Sequence, residues 1–189
     1  MTYQFKNARI LIVDDMAPML ALTASILKIF GFVNIETATD ADEAFTKFCK
    51  FDPDLVITDW QMEPYDGLEL VRKMRTSQMS PNRFVPVIMM TGYSHRIRVE
   101  ASRDAGVTEF LVKPFKAKDL YTRIEQLIEK PRQFVEADEF FGPDRRRRKA
   151  GDYKGPRRRG LDKNDSSDPN AKKILRDLKQ QTRDTSKQK

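Results

Sequence analysis

Short apolar runs alternate with amphipathic stretches through residues 1–130 of the chain. Five of these runs have the length of β-strands, and three of them are almost continuously apolar, as expected for strands that are covered on both faces. The five runs are Arg9–Val13, Asn34–Thr37, Leu55–Thr58, Pro86–Met90 and Glu109–Val112. Each run is followed by a stretch with helical periodicity, so the pattern predicts five strand-then-helix units.

The stretches after the runs carry apolar residues three or four positions apart, which is the spacing of one helix face. Asp40 is a predicted N-cap and Pro131 a predicted stop, while Gly31 and Gly106 follow two predicted helix ends. The predicted faces are Met19, Leu22, Ile26 and Phe30; Ala41, Ala44, Phe45 and Phe48; Leu70, Val71 and Met74; Ile97, Ala101 and Ala105; and Leu120, Ile124, Leu127 and Ile128. Strands that alternate with such helices predict an α/β fold with a doubly wound, five-stranded parallel sheet.

Polar residues end four of the predicted strands. Asp14 and Asp15 follow the first strand, Asp59 ends the third, Thr91 ends the fourth and Lys113 follows the fifth. A single strand-end aspartate more often caps or turns the chain than it binds a ligand. The carboxyl ends of parallel strands, however, share one edge of the sheet, which is where open α/β sheets bind their ligands. Four polar strand ends at one edge therefore predict a functional site.

The types of side chain at this edge indicate phosphoryl transfer. Clustered carboxylates raise each other's pKa unless a cation lies among them, and carboxylate and carbonyl oxygens suit Mg²⁺. A carboxylate beside a metal is a competent nucleophile toward phosphorus, which makes Asp59 the predicted acceptor. The Lys113 ammonium and the Thr91 hydroxyl are suited to stabilise the transferring group. The sequence contains one His and one Cys, and neither forms a catalytic triad or zinc motif.

Together these motifs resemble those of the response-regulator receiver domain, the family of the bacterial chemotaxis regulator. The resemblance covers about residues 6–130 and also rests on Met62, Asp66-Gly67 and Pro114-Phe115. It implies a flavodoxin-like fold of five β-then-α units. One departure is Glu63, because the family usually has Pro directly after the residue that matches Met62.

The resemblance implies the metal and phosphoacceptor roles. Asp59 would take a phosphoryl group from the phosphohistidine of a sensor histidine kinase or a phosphotransfer protein. Asp15, Asp59 and the backbone carbonyl of Gln61 would bind Mg²⁺, and Asp14 would bind it partly through water. An aspartyl-phosphate hydrolase is the alternative that shares this nucleophile. It is disfavoured because such enzymes have a carboxylic acid/base where this chain has Gln61.

The resemblance also implies how the phosphorylated state is read. Lys113 would contact the phosphoryl group, Thr91 would swing to bind it, and Phe110 would turn inward with Thr91. Output would be docking of a downstream protein through the fourth helix, fifth strand and fifth helix. The protein would then be no enzyme beyond catalysing its own phosphorylation and dephosphorylation.

Charge divides the chain into two parts. Residues 131–189 carry 18 of the 35 basic residues but only 10 of the 28 acidic ones, so the net charge of +7 belongs to this basic extension and residues 1–130 are nearly neutral. The single Cys49 forms no internal disulfide, and no window has the roughly 18 apolar residues of a membrane span. These features predict a cytoplasmic protein with no membrane span.

The basic extension is predicted to be mostly disordered, because apolar residues are sparse and Gly, Pro, Asp and Arg are abundant. Residues 170–180 form a possible short amphipathic helix, which is marginal alone. Within the extension, an aromatic-x-Gly-Pro-x-Arg-Arg pattern occurs twice, in the segments Phe140–Arg146 and Tyr153–Arg159. A generic basic tail needs neither paired aromatics nor Gly-Pro turns.

The extension resembles the Arg-rich C-terminal extension of receiver-like effectors that bind cyclic di-GMP. Arginine is bidentate to guanine or phosphate, and aromatic rings stack on bases. The residues that this resemblance implies are Arg145, Arg146, Arg147, Arg148, Tyr153, Arg157, Arg158 and Arg159. A nucleic acid, another anionic partner, or a protein-docking or solvated tail are the alternatives. In the cyclic di-GMP case the receiver would act as an adaptor that docks on a flagellar motor or kinase partner.

Overall fold

A single parallel sheet of five strands forms the centre of the protein. The computed structural model describes residues 4–92, 105–137 and 140–144. The strands of the sheet are β1 (Arg9–Val13), β2 (Asn34–Ala38), β3 (Leu55–Asp59), β4 (Val87–Thr91) and β5 (Glu109–Val112). They pair in the order β2-β1-β3-β4-β5, and every pair is parallel. This arrangement confirms the doubly wound, flavodoxin-like sheet that the sequence predicts.

Within the described residues, a helix follows each of the strands β1, β2, β3 and β5, and the helices cover both faces of the sheet. They are α1 (Ala17–Ile29), α2 (Ala41–Phe51), α3 (Gly67–Thr76) and α4 (Ala117–Glu129). The additional helix predicted around Ile97 and Ala101 falls in residues 93–104, outside the described part of the chain. None of the described helices is long and apolar enough to cross a membrane.

Local capping explains where several helices begin and end. The Asp40 side chain accepts a hydrogen bond of 2.8 Å from the backbone N–H of Glu43, as the predicted N-cap of α2 should. Asp66 and Glu69 form a reciprocal capping box at the start of α3. Gly31 follows α1 with a φ of +98°, a conformation that glycine adopts without a steric penalty.

The two faces of the sheet bury two separate apolar layers. Successive side chains of a strand point to opposite faces, so Leu11 and Val13 pack under α2 and α3, while Ile10 and Ile12 pack under α1 and α4. Helices pack over both layers. This packing on both faces explains why the first, third and fourth strands read as continuous apolar runs rather than as alternating ones.

The buried face of α1 differs from the predicted one. Leu20, Thr23 and Leu27 are buried, whereas Leu22 is 50% exposed and Ile29 is 82% exposed. The helix is apolar nearly all round, and Lys28 is its one charged residue. Periodicity therefore indicated a helix but could not show which side faces the sheet.

Ordered structure continues beyond residue 130, where the sequence prediction ends the receiver domain. Strands β6 (Phe134–Ala137) and β7 (Phe140–Pro143) pair as an antiparallel hairpin. The rings of Phe134 and Phe141 meet that of Phe84 edge-on, with centroids 5.3 and 5.1 Å apart. Two four-residue strands are too short for a pattern to indicate them, so the contact with Phe84, distant in sequence, is what reveals the hairpin.

The hairpin covers a fully buried arginine near the end of α3. The Arg75 guanidinium donates to the backbone carbonyls of Arg83 at 2.8 Å, Val85 at 2.7 Å and Gly106 at 3.0 Å. The guanidinium carbon lies 5.1 Å from the centroid of the Phe134 ring. Burial, helped by the neighbouring Arg83, lowers the pKa of Arg75 to about 9, which still leaves the side chain charged at neutral pH.

Candidate functional site

The carboxyl ends of the central strands bring two aspartates side by side. Val13 of β1 lies beside Thr58 of β3, so the next residues, Asp14 and Asp59, are neighbours at the edge of the sheet. Asp14 is held in place by its own backbone: its N–H donates to the carbonyl of Ala38, and its Oδ1 accepts from the N–H of Met16. The sheet register therefore sets the position of both carboxylates.

Three carboxylates meet at this edge. One oxygen each from Asp14, Asp15 and Asp59 lies within 4.8 Å of the others. Asp14 is fully buried and Asp59 is 9% exposed, whereas Asp15 is exposed. The cluster thus has a dry inner side and a side open to solvent.

Lys113 is the cation that faces the two buried carboxylates. Its Nζ lies 2.8 Å from Asp14 Oδ2 and 2.9 Å from Asp59 Oδ1. Burial alone would lower the pKa of Lys113, but the hydrogen bonds to Asp14 and Asp59 outweigh it and raise the pKa. Burial raises the pKa of Asp59 in spite of Lys113. The ammonium therefore compensates part of the charge that burial makes costly.

Gly67 allows α3 to begin against the back of Asp59. A Cβ on Gly67 would stand 2.0 Å from the backbone oxygen of Asp59, so no other residue fits without a shift of the backbone. The Gly67 N–H also donates to the carbonyl of Trp60 at 2.8 Å. The sequence marks Asp66-Gly67 only as a turn, and the close approach to Asp59 is the physical reason for glycine there.

The remaining predicted residues of the receiver site lie at or near the same edge. Thr91 is buried at the end of β4, and its carbonyl accepts a 2.7 Å hydrogen bond from the N–H of Lys113. Gln61 is exposed in the loop that follows β3. Phe110 is partly buried and packs against the apolar layer under α2 and α3. In the loop after Gln61, Glu63 precedes Pro64 through a cis peptide bond.

The predicted residues of the basic extension lie outside the described part of the chain. They are Arg145, Arg146, Arg147, Arg148, Tyr153, Arg157, Arg158 and Arg159. The first copy of the repeat begins inside the structure, where Gly142 and Pro143 are buried in β7. That Gly-Pro pair therefore contributes to packing of the hairpin.

The donor set fits a hard divalent cation. Three carboxylates supply only oxygen ligands, and the exposed Asp15 leaves one side open to the waters that Mg²⁺ retains. Two of the three carboxylates are buried, so their mutual repulsion is strong in the absence of positive charge. Such a set suits Mg²⁺ better than the softer metals that prefer Cys and His.

Comparison with known proteins places this architecture in one family. Residues 10–125 match the family described as the response regulator receiver domain. The chemotaxis protein CheY-3 of Vibrio cholerae is 34% identical over 125 residues, which span 66% of this chain and 95% of that protein. The chemotaxis protein CheY of Pseudomonas aeruginosa is 33% identical over 122 residues, or 65% of this chain and 97% of that protein.

Solved structures agree with these sequence matches. The chemotaxis protein CheY4 of Vibrio cholerae superposes with a TM-score of 0.59 at 29% identity, covering 63% of this chain and 97% of that one. A response regulator receiver domain protein from Clostridium thermocellum superposes with a TM-score of 0.57 at 28% identity, over 63% and 92% of the two chains. Neither the hairpin nor the basic extension falls within residues 10–125.

Proposed function

This chain belongs to the response-regulator receiver family, and we propose that its Asp59 accepts a phosphoryl group from the phosphohistidine of a sensor histidine kinase or a phosphotransfer protein. Receiver domains are signalling proteins rather than enzymes in the usual sense, and histidine kinases and downstream targets are their partners. The observation that carries the assignment is the Lys113 ammonium, which lies 2.8 Å from Asp14 and 2.9 Å from Asp59 at the end of the central strand.

The reaction needs little chemistry from the protein beyond placement of charge. A carboxylate oxygen of Asp59 forms a bond to phosphorus while the bond from phosphorus to the donor's imidazole nitrogen breaks, and the imidazole leaves with a proton from solvent. Lys113 stands where it can neutralise charge on the transferring oxygens. Thr91, at the end of the next strand, supplies a hydroxyl to the same group, and Phe110 follows Thr91 inward.

Asp14, Asp15, Asp59 and the backbone carbonyl of Gln61 are the groups proposed to hold Mg²⁺. When bound, the ion neutralises charge on the carboxylates and on the phosphoryl oxygens. The protein's own contribution is the rigid placement of the two buried carboxylates by β1 and β3, while the exposed Asp15 completes the set from solvent.

Addition of Mg²⁺ is expected to change the fluorescence of Trp60, the one tryptophan of the chain, because this residue directly follows Asp59. Asp15→Asn should weaken the apparent affinity at least about 10-fold, since it removes one anionic ligand. A fluorescence titration with MgCl₂ measures both. Asp42→Asn, an exposed carboxylate on α2, is the matched control and should titrate like the wild type. A titration of Asp15→Asn that matches the wild type would contradict the metal assignment.

Output by docking of a downstream protein is proposed for the face formed by β5, the predicted fourth helix and the predicted fifth helix. The fifth is α4, whereas residues 93–104 of the fourth lie outside the described part of the chain. β5 is an edge strand of the sheet, and Val112 on it is 47% exposed. The hydrogen bond from Lys113 N–H to the Thr91 carbonyl joins this face to the phosphoryl-binding edge. A movement of Thr91 can therefore shift Lys113, and with it the docking face, through this hydrogen bond.

For the basic extension we propose that the arginine repeat binds cyclic di-GMP as a second input. The repeat is what favours this ligand over a generic anion, because two aromatic and arginine sets close together in the chain match a small two-fold molecule with two guanines. The hairpin supports this proposal. The N–H of Asp144 donates a hydrogen bond of 2.6 Å to the carbonyl of Gln133, and this bond fixes the position at which the arginine run starts.

Replacement of Arg145–Arg148 by serine should remove binding of cyclic di-GMP while phosphorylation of Asp59 continues, because the two sites share no residue. Calorimetric titration of the full chain measures the binding, and a salt series with duplex DNA distinguishes a nucleic-acid partner by its steep salt dependence. Absence of heat with the wild type would refute the cyclic di-GMP proposal and leave the receiver assignment untouched.

A further inference from the structure

An apolar cavity of about 90 Å³ lies at the end of the sheet opposite to the acidic site. Its walls include Leu55, the first residue of β3, whereas Asp59 is the last residue of the same strand. α4 contributes Leu127 and Ile128. The hairpin segment contributes Arg132 and Phe134, so the part of the chain beyond residue 130 forms one wall. The cavity is much larger than the roughly 10–15 Å³ that one water needs.

The polar groups around the cavity are already paired within the protein. Asp54 accepts from the N–H of Arg9, and the Asn82 side chain accepts from the N–H of Phe84. Thr108 accepts from the N–H of Val87, and Arg132 donates to Glu109. Each of these four side chains therefore already has a hydrogen-bond partner within the protein. An aliphatic side chain in the cavity needs no such partner and would gain burial.

The described chain ends beside this cavity. The N–H of Asp144 donates to the carbonyl of Gln133, which stands between the two cavity residues Arg132 and Phe134. The segment from Arg145 to Lys189 thus starts at the wall of the cavity. It contains four large aliphatic residues, and three of these lie together at positions 174, 175 and 178.

We propose that the segment 170–180 of this same chain docks in the cavity through Ile174, Leu175 and Leu178. Their spacing places them on one face of a helix, which is the usual way a short amphipathic helix enters an apolar groove. Such a helix is marginal alone, and docking would stabilise it. Ile174 follows Asp144 by 30 residues in the sequence. A linker of that length without secondary structure would span about 30 Å, which is ample for a cavity at its starting point.

Docking would close residues 145–173 into a loop that contains both arginine sets. One end of the loop is held by β7 and the other by the docked segment. Because the tether gives the segment an effective concentration of about millimolar, even a weak intrinsic affinity suffices. Both ends of such a loop would lie at the end of the sheet away from Asp59, so this inference does not rest on the phosphoryl-transfer assignment.

Paramagnetic relaxation tests the inference on the full-length chain. A nitroxide is attached at Gln180→Cys in a Cys49→Ser background, and amide peak intensities are read in the ¹⁵N-labelled protein. The amides of Ala8, Leu55 and Leu127, which line the cavity, should fall to less than about half of their diamagnetic intensity. Replacement of Ile174, Leu175 and Leu178 together by serine should restore them. These substitutions lie outside the described domain and leave its core unchanged.

Leu161→Ser is the matched control, because it removes an aliphatic residue of the tail outside the proposed segment, and it should keep the attenuation. Attenuation that survives the triple serine variant would overturn the inference. The same holds if attenuation appears when spin-labelled ¹⁴N protein is mixed with unlabelled ¹⁵N protein, since the occupant would then be a second copy. Shifts of these amides with added indole, without attenuation from the nitroxide, would assign the cavity to a small apolar ligand instead.

Discussion

Asp59→Asn is expected to abolish phosphorylation of the protein by acetyl phosphate in the presence of Mg²⁺. The substitution keeps the shape of the side chain but removes the anionic oxygen that attacks phosphorus, and amides are poor nucleophiles at phosphorus. Lys113 contacts both Asp14 and Asp59, but Asp14 is fully buried, whereas Asp59 is 9% exposed at the end of β3, so Asp59 is the carboxylate of this pair that a phosphodonor can reach. Incorporation of radiolabelled phosphate into the full-length protein measures the loss.

Asp54→Asn is the matched control for this result. Asp54 directly precedes β3 and Asp59 ends it, so the two variants change the same residue type at opposite ends of one strand. Burial raises the pKa of Asp54, which makes a neutral side chain there easy to accommodate. The control should label like the wild type. Labelling of Asp59→Asn at the wild-type level would refute the phosphoacceptor assignment, whereas loss in both variants would point to a folding defect.

Arg75→Ala is expected to lower the free energy of unfolding by about 3–5 kcal/mol, the usual cost of breaking a buried charged network. The guanidinium satisfies three backbone carbonyls that would be left buried without a donor, and Phe134 would lose the cation beneath its ring. Urea denaturation followed by circular dichroism measures the change. Arg72→Ala, an exposed arginine on the same helix, should change stability by no more than about 0.5 kcal/mol.

Arg75→Met separates the two contributions of this side chain. Methionine restores most of the apolar volume but donates no hydrogen bond. The stability of the Arg75→Met variant should therefore remain closer to that of Arg75→Ala than to that of the wild type. If Arg75→Met were as stable as the wild type, packing rather than hydrogen bonding would account for the burial of this arginine. If Arg75→Ala lowered the free energy of unfolding no more than Arg72→Ala does, the hairpin would not depend on Arg75 at all.

The acidic site could be predicted from the sequence because each of its residues is marked by a short, local sequence pattern. All strands of a parallel sheet end along the same edge, so the polar residues that end four of the apolar runs must lie along that edge, whatever the details of packing. Asp14, Asp59 and Lys113 could therefore be grouped before any distance was known, and the 2.8 and 2.9 Å contacts confirm the grouping. The partners of Arg75 could not be predicted in this way, because one of its carbonyl acceptors belongs to Gly106, far along the chain.

The sequence by itself determined the strand and helix succession, the two buried layers and the polar edge, since periodicity, caps and strand ends are properties of short stretches. Only the tertiary structure decided which side of the nearly all-apolar α1 faces the sheet, why Gly67 must lack a Cβ against Asp59, and that a hairpin follows residue 130. The hairpin at Phe134–Pro143 is held by Phe84 and Arg75, which come much earlier in the chain. Contacts between segments so far apart leave no pattern in either segment alone, and for that reason they appear only when the chain is folded.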